Sequence, residues 1–189
     1  MNLLSRRYIV IDTETTGLPH QPWARVVELA AVLLDEEGAE VDTFSSLVCP
    51  EILDHRAEPA LSVNHLTLDD LRDAPSTREV AAAWYRWWMD RGQPMATSYN
   101  VQFDRHMAER MLGPMAVPTP TWGRCIMEHA TEVHGRRARL GDVALRLGIQ
   151  PQEPAHRALA DARTAALIMV ELQRQAWARA THADRGGAS

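Results

Sequence analysis

The sequence predicts an α/β domain: a short antiparallel meander followed by a mostly helical remainder. Three observations carry this. Tyr8 to Ile11 is an apolar, β-branched run that gives way to carboxylates at Asp12 and Glu14, which reads as a buried strand reaching its end. Two more strand-like runs follow across short turns, and short turns join antiparallel neighbours. From Thr67 onward, apolar residues recur at helical spacing between caps and prolines.

In chain order, Pro19, His20 and Pro22 mark a loop after the first strand. Arg25 to Leu34 is a second strand, Asp35-Glu36-Glu37-Gly38 a turn, and Glu40 to Cys49 a third strand. Pro50 to Asn64 is expected to be irregular. Thr67, with Asp70 three residues on, caps a short helix over Leu68 to Asp73. Ser76 or Thr77 caps the next, which runs to about Asp90 and stops before Gly92 and Pro94. Trp84, Trp87 and Trp88 share one face of it, as core or as a partner surface. Met95 to Tyr99 reads as a fourth strand and Val101 to Leu112 as a helix. Two further helices, Ile126 to Val133 and Leu140 to Leu147, flank the basic segment Arg136-Arg137-Ala138-Arg139. The last helix spans about Arg157 to Ala178. Residues 1–178 are thus expected to form a single domain, with 179–189 a disordered tail.

The bulk numbers exclude several classes. With 189 residues, 46% hydrophobic and 24% charged, the composition is that of a globular domain. No apolar run approaches the ~18 residues of a membrane span, and Met1 to Arg7 lacks the apolar core of a signal peptide. Cys49 and Cys125 are too few and too distant for a disulfide framework or zinc knuckle, so a reducing cytoplasm is the expected location. The net charge of −5 argues against coating nucleic acid by bulk electrostatics. A local nucleic-acid site remains open, because bound metal reverses the local sign.

Three sites draw attention. Asp12 and Glu14 project to one side of a strand, since side chains alternate. Like charges that close repel, more so when buried. Either one carboxyl keeps its proton or a cation sits between them, and carboxylate oxygens suit Mg²⁺ or Mn²⁺. The bland reading is a strand running out into a polar loop. The second site is Asn100-Val101-Gln102-Phe103-Asp104, whose bland reading is an Asn cap and a solvated acid. The third is His156 with Asp161. Five helical residues turn through about 140°, so the two would not share a helix face. His156 therefore belongs in the loop after Pro154, leaning over a first turn that carries Asp161.

The order of these sites resembles the DEDDh family of proofreading-type 3′–5′ exonucleases. Ile11-Asp12-Thr13-Glu14-Thr15-Thr16-Gly17-Leu18 matches its first motif, Asn100 to Asp104 its second, and His156 to Asp161 its third, His-x₄-Asp. Connecting stretches are also similar: Asn64-His65-Leu66-Thr67, Asp70-Leu71, Ala74-Pro75, and Leu140-Gly141-Asp142 to Leu147-Gly148-Ile149. The resemblance spans roughly residues 7 to 172. Two departures stand beside it: Tyr99 where many members have His, and Arg124-Cys125 where many have Asp-Thr.

The resemblance implies a ribonuclease-H-like fold: a mixed five-stranded sheet flanked by helices on both sides, the fifth strand near Pro120 to Arg124. It implies two metal ions, Mg²⁺ or Mn²⁺, held by Asp12, Glu14, Asp104 and Asp161, with His156 as general base. Thr15, Thr16 and Leu18 would hold the terminal nucleotide, with Asn64 and Asn100 as further substrate contacts. Trp23 would stack on a base or pack its own loop. The implied partner is nucleic acid with a free 3′ end, and the implied product a nucleoside 5′-monophosphate from single-stranded or frayed DNA. Alternatives are an RNA-trimming exoribonuclease of the same fold, or a non-catalytic module that binds nucleic acid or a polymerase. No long C-terminal extension suggests a polymerase tether, so a stand-alone enzyme is expected.

Overall fold

In the computed structural model, which describes residues 3–186, the opening apolar run forms β1 (Tyr8–Thr15). It pairs antiparallel with β2 (Val26–Leu34), which pairs antiparallel with β3 (Glu40–Leu47). β4 (Met95–Thr97) joins the other edge of β1 in parallel, giving the order β3-β2-β1-β4. All nine residues of β2 are buried, so both faces of the sheet need a cover.

Strand alternation assigns the covers. Ile9, Ile11, Leu29, Ala31 and Leu33 pack against α3 (Thr77–Asp90) and α4 (Val101–Leu112) through Trp84, Trp88, Met107 and Met111. On the opposite face Val10, Val32 and Leu34 meet α5 (Ile126–His134), α6 (Leu140–Arg146) and α7 (Ala158–Gly186). The tryptophan row is therefore core. Trp84 is 1% exposed, and Trp87 packs against Phe44 with the Arg91 guanidinium 4.6 Å from its ring.

The local start signals hold. Thr67 and Asp70 close a capping box on α2 (Leu68–Arg72), and Ser76 and Glu79 close another on α3. The stretch expected to be irregular contains a 3₁₀ turn, His55–Ala57, and a short helix α1 (Glu58–Val63). Pro59 sits in the first turn of α1, where no backbone donor is required. Its Leu61, with Val27, Leu66 and Leu71, makes a small separate cluster at the start of β2.

Two expectations are corrected. The fifth strand is reduced to a single bridge, Trp122 to Ala96, so the sheet has four strands among the described residues. Pro118 and Pro120 remove ladder donors at that place. The last helix does not stop near Ala178: it runs to Gly186, so 179–186 are helical rather than part of a tail. Residues 187–189 lie outside the described residues.

Trp84→Ala should destabilise the protein by about 3–5 kcal/mol, the usual range for emptying a large aromatic site in a core. Urea unfolding of the variant measures this, and a loss under about 1 kcal/mol would place the tryptophan outside the core.

Candidate active site

The face that carries Val10 also carries Asp12 and Glu14, and it is the face covered by α7. α7 approaches closely because Ala162, Ala165 and Ala166 line its contact. Its first turn brings Asp161 to the end of β1. One carboxylate oxygen each from Asp12, Glu14 and Asp161 lies within 4.8 Å of the others.

Asp104 comes from the opposite layer, on the first turn of α4. It is 4% exposed, not solvated. Thr13, on the other face of β1, anchors it: the Thr13 backbone N–H and Oγ1 donate to Asp104 Oδ1 at 3.1 and 2.8 Å. The Asp104 charge nevertheless reaches Asp12 and lifts its pKa. The cluster thus straddles the end of β1, with three acids on one side and the fourth held from the other.

Four crowded acids, Glu14 and Asp104 buried and Asp12 and Asp161 partly so, resist ionisation. Burial pushes Asp12 well above the usual carboxylate range, helped by Asp104, Glu14, Asp161 and Glu28. Burial, then Asp161, Glu28 and Asp104, push Glu14 up to about 8. Asp104 is raised by burial to about 6, held back by the Thr13 bonds. Burial also raises Asp161, and the neighbouring His156 opposes it. Hard oxygen donors that repel one another and hold protons fit a divalent cation of the Mg²⁺ or Mn²⁺ kind. The donor set is right for such an ion and wrong for a soft one.

His156 lies in the bend before α7, exposed, with φ +57°. This is the loop position expected for it. Its ring stands 6.5 Å, centroid to centroid, from that of His65.

The turn after β1 is tightly internalised. Thr15 Oγ1 donates to the Gly17 carbonyl at 2.7 Å, and Thr16 Oγ1 accepts from the Arg25 backbone N–H at 2.8 Å. Both hydroxyls therefore hold the turn. Asn64 is buried and donates to the Thr15 carbonyl at 3.2 Å, supporting the same turn. Leu18 is 53% exposed, an apolar side chain presented to solvent beside the acids. Gly17 is required because a Cβ would collide with Gln21 and the Trp23 ring. Trp23 thus packs its own loop. Asn100 begins α4 but makes no side-chain cap bond, which leaves its amide for another partner.

Residue-by-residue reading misses three members of this arrangement. Glu28, opposite Glu14 across the sheet, is 3% exposed. It accepts from Arg157 Nε at 2.9 Å and Nη2 at 3.1 Å, and from the Ala158 backbone N–H at 3.3 Å. Glu28 thereby caps α7 and fixes the segment that carries His156 and Asp161. Arg157 in turn lowers the repulsion on Glu14. Arg110, on the helix that carries Asp104, donates to the carbonyls of Pro19, Gln21 and Ala24, clasping the loop beyond Leu18. In sequence, Glu28 and Arg157 are ordinary charges 129 positions apart. The one hint is an acid inside an otherwise apolar strand.

An exonuclease family model, that of RNase T, matches residues 9–169. The chain belongs to this exonuclease family. The order of its acids and histidine is similar to that of the DEDDh exonucleases, whose fold it shares. Membership implies dependence on a divalent metal. Among relatives, a PolC-type DNA polymerase III of Staphylococcus epidermidis is 30% identical over 182 residues, 92% of this chain. That of Staphylococcus aureus is 30% identical over 176 residues, 89% of this chain. The chain spans only 12% and 11% of the length of these polymerases. The fold also matches the nuclease domain of 3′hExo, a DEDDh member bound to rAMP, with TM-score 0.76 and 18% identity, over 89% of this chain and 92% of that one. E. coli exonuclease I in complex with single-stranded DNA matches with TM-score 0.73 and 18% identity, over 90% and 41%. Among the described residues, no helix of this exonuclease is long and apolar enough to cross a membrane.

Two outcomes follow from the acids and their brace. Glu14 ordinarily titrates near 4.5 and here near 8. Between these values the folded protein keeps a proton that the unfolded chain has released, so metal-free stability should fall as pH rises through this window and level off above it. Glu14→Gln should flatten that fall and raise the metal-free Tm above about pH 8; parallel pH profiles of Tm for the variant and the wild type would refute it. Arg157→Met leaves a buried carboxylate without its main partner, so a stability loss of about 1–3 kcal/mol is expected. Activity should fall with it, and an unchanged variant in denaturation and turnover assays would show that the brace does nothing.

Proposed function

We propose that this exonuclease removes nucleoside 5′-monophosphates, one at a time, from single-stranded or frayed DNA 3′ ends. The observation that carries the reading is the convergence of Asp12, Glu14 and Asp161 oxygens within 4.8 Å, with Asp104 adjoining and His156 at the rim. A binding module has no use for repelling buried acids, which are costly unless a cation or a proton neutralises them. DNA is preferred because the relatives at 30% identity are named as DNA polymerases.

Asp12, Glu14 and Asp161 would hold one divalent ion, and Asp12 with Asp104 a second, Mg²⁺ or Mn²⁺ in each case. Bound ions of this kind supply positive charge for the phosphate oxygens as negative charge builds on them. The chain's own groups do the rest. Leu18 wedges against the last base, and the backbone of Thr15 to Leu18 lines the terminal nucleotide. The hydroxyls of Thr15 and Thr16 and the amide of Asn64 act through the turn they hold, while Asn100 contacts substrate directly. Wedging and stacking tolerate any sequence, as an end-processing enzyme requires. His156 accepts the proton of the water that attacks the last phosphodiester, at an imidazole nitrogen open to solvent. The setting of this activity is the cytoplasm, and its partner is nucleic acid with a free 3′ end.

The test is digestion of 5′-labelled single-stranded DNA, duplex DNA and RNA with Mg²⁺. Single-stranded DNA should be shortened stepwise to release mononucleotides, a 3′-blocked strand should resist, and a 5′ block should not matter. Cutting of a closed circle would overturn the reading, and faster digestion of RNA would reassign the substrate to RNA ends. His156→Ala should lose about 10²–10⁴-fold in turnover while keeping much of its substrate affinity, since all four acids remain. Turnover within about threefold of wild type, far below that contribution, would make the histidine a bystander.

A further inference from the structure

The loop between α5 and α6 takes no part in the site described above, and it gathers three arginines within four residues. Arg136, Arg137 and Arg139 are all exposed. Among the described residues none of the three enters an ion pair, whereas Arg56, Arg72, Arg105, Arg124, Arg163 and Arg174 each do. In a chain of net charge −5, three unpaired guanidinium groups within four residues form a local positive field.

The fold ties this loop to the active site. Gly135 ends α5 in the left-handed region, φ +75°, and the chain turns back along that helix. Tyr99 Oη donates to the Ala138 carbonyl at 2.6 Å, and Arg137 Nε donates to Met127 Sδ at 3.1 Å. Met127 lies in the first turn of α5, and its N–H donates to the Tyr99 carbonyl at 3.0 Å. Tyr99 immediately precedes Asn100. A groove of about 370 Å³ runs between these points, lined by Asn100, Gln102, Met127, Thr131 and Arg137. One end is Asn100, at the start of the helix that carries Asp104, and the other is the arginine loop. Two acids also line it: Glu132 is neutralised by its ion pair with Arg124, and Glu128 is exposed.

A strand whose 3′ terminus sits among the acids must leave the site over one rim. The acids themselves repel phosphate unless cations neutralise them. This groove leads instead from an unengaged amide to a set of guanidinium forks, whose planar donors match phosphate oxygens. We propose that the groove and the loop Arg136 to Arg139 bind the phosphodiester backbone of the strand upstream of its 3′ end. The inference rests on the exonuclease reading, and it assigns these arginines the holding of substrate rather than its cleavage.

The test separates holding from cleavage. The full chain is titrated, with Ca²⁺ in place of Mg²⁺, against a fluorescent thymidine strand of about 15 nucleotides ending in phosphorothioate linkages, a length within the usual span of a single-strand site. The triple variant Arg136→Gln, Arg137→Gln, Arg139→Gln should bind about tenfold more weakly, and its slope of log K against log salt should be shallower by about 2, since each phosphate contact on a single strand contributes about 0.7. The matching triple lysine variant should keep most of the slope, because it keeps the charge. A mononucleotide, which has no upstream backbone to hold, should bind wild type and glutamine variant alike. Unchanged affinity and salt slope for the long strand in the glutamine variant would overturn the proposal. Absence of hydrolysis of the unmodified strand by the wild type in Mg²⁺, with arginine-dependent binding intact in Ca²⁺, would overturn the nuclease reading and support this one.

Discussion

Four carboxylates meet at the end of β1, close enough to repel one another, with Glu14 and Asp104 buried and Asp12 and Asp161 partly so. Much of the surrounding structure serves to hold them there. β1 contributes two through its alternation. α7 brings the third on a helix whose alanines allow close approach to the sheet. α4 brings the fourth from the opposite layer, held by two bonds from Thr13. Burial first, and the neighbouring acids next, raise the pKa values of Asp12 and Glu14, and burial raises that of Asp104.

The strain is contained by groups that touch no substrate. Glu28 is itself an acid, so it adds to the repulsion felt by Glu14. It also binds Arg157 and the first amide of α7, and so fixes the helix that delivers Asp161. A buried acid that worsens the local charge while fixing the geometry is tolerable where a cation is to be bound. Arg110 plays a similar part for the loop beyond Leu18, using carbonyl oxygens as acceptors. Thr16 and Asn64 read as substrate contacts from their motifs, yet their polar atoms bond to the chain. Contact with substrate and support of the contacting turn look the same in a sequence, because both favour small hydrogen-bonding side chains.

The helices were legible where local chemistry decides. Two capping boxes start α2 and α3 at the expected residues, because a cap needs only neighbours three residues apart. α1 was hidden by Pro59, whose ring is acceptable in a first turn but reads as a breaker elsewhere. The edge near Trp122 was overestimated as a strand, since an edge can pair through one residue and stop. The end of α7 was placed too early, because a polar segment with small residues carries no stop signal where no glycine intervenes before Gly186.

The sequence by itself determined the order and chemistry of the site: Asp12 and Glu14 on one strand face, Asp104 in a first helical turn, and His156 in a bend ahead of Asp161. These follow from strand and helix periodicity, which act over a few residues. Only the tertiary structure decided what each group faces. Whether Asp104 is solvated or held by Thr13 depends on a contact 91 positions apart, and whether Glu28 is a stray strand acid or a helix cap depends on one 129 positions apart. Burial, and with it the pKa of every acid in the cluster, arises from the packing of both helical layers onto the sheet. Pair energies and desolvation depend on distance in space, and the linear spacing of residues does not contain that distance.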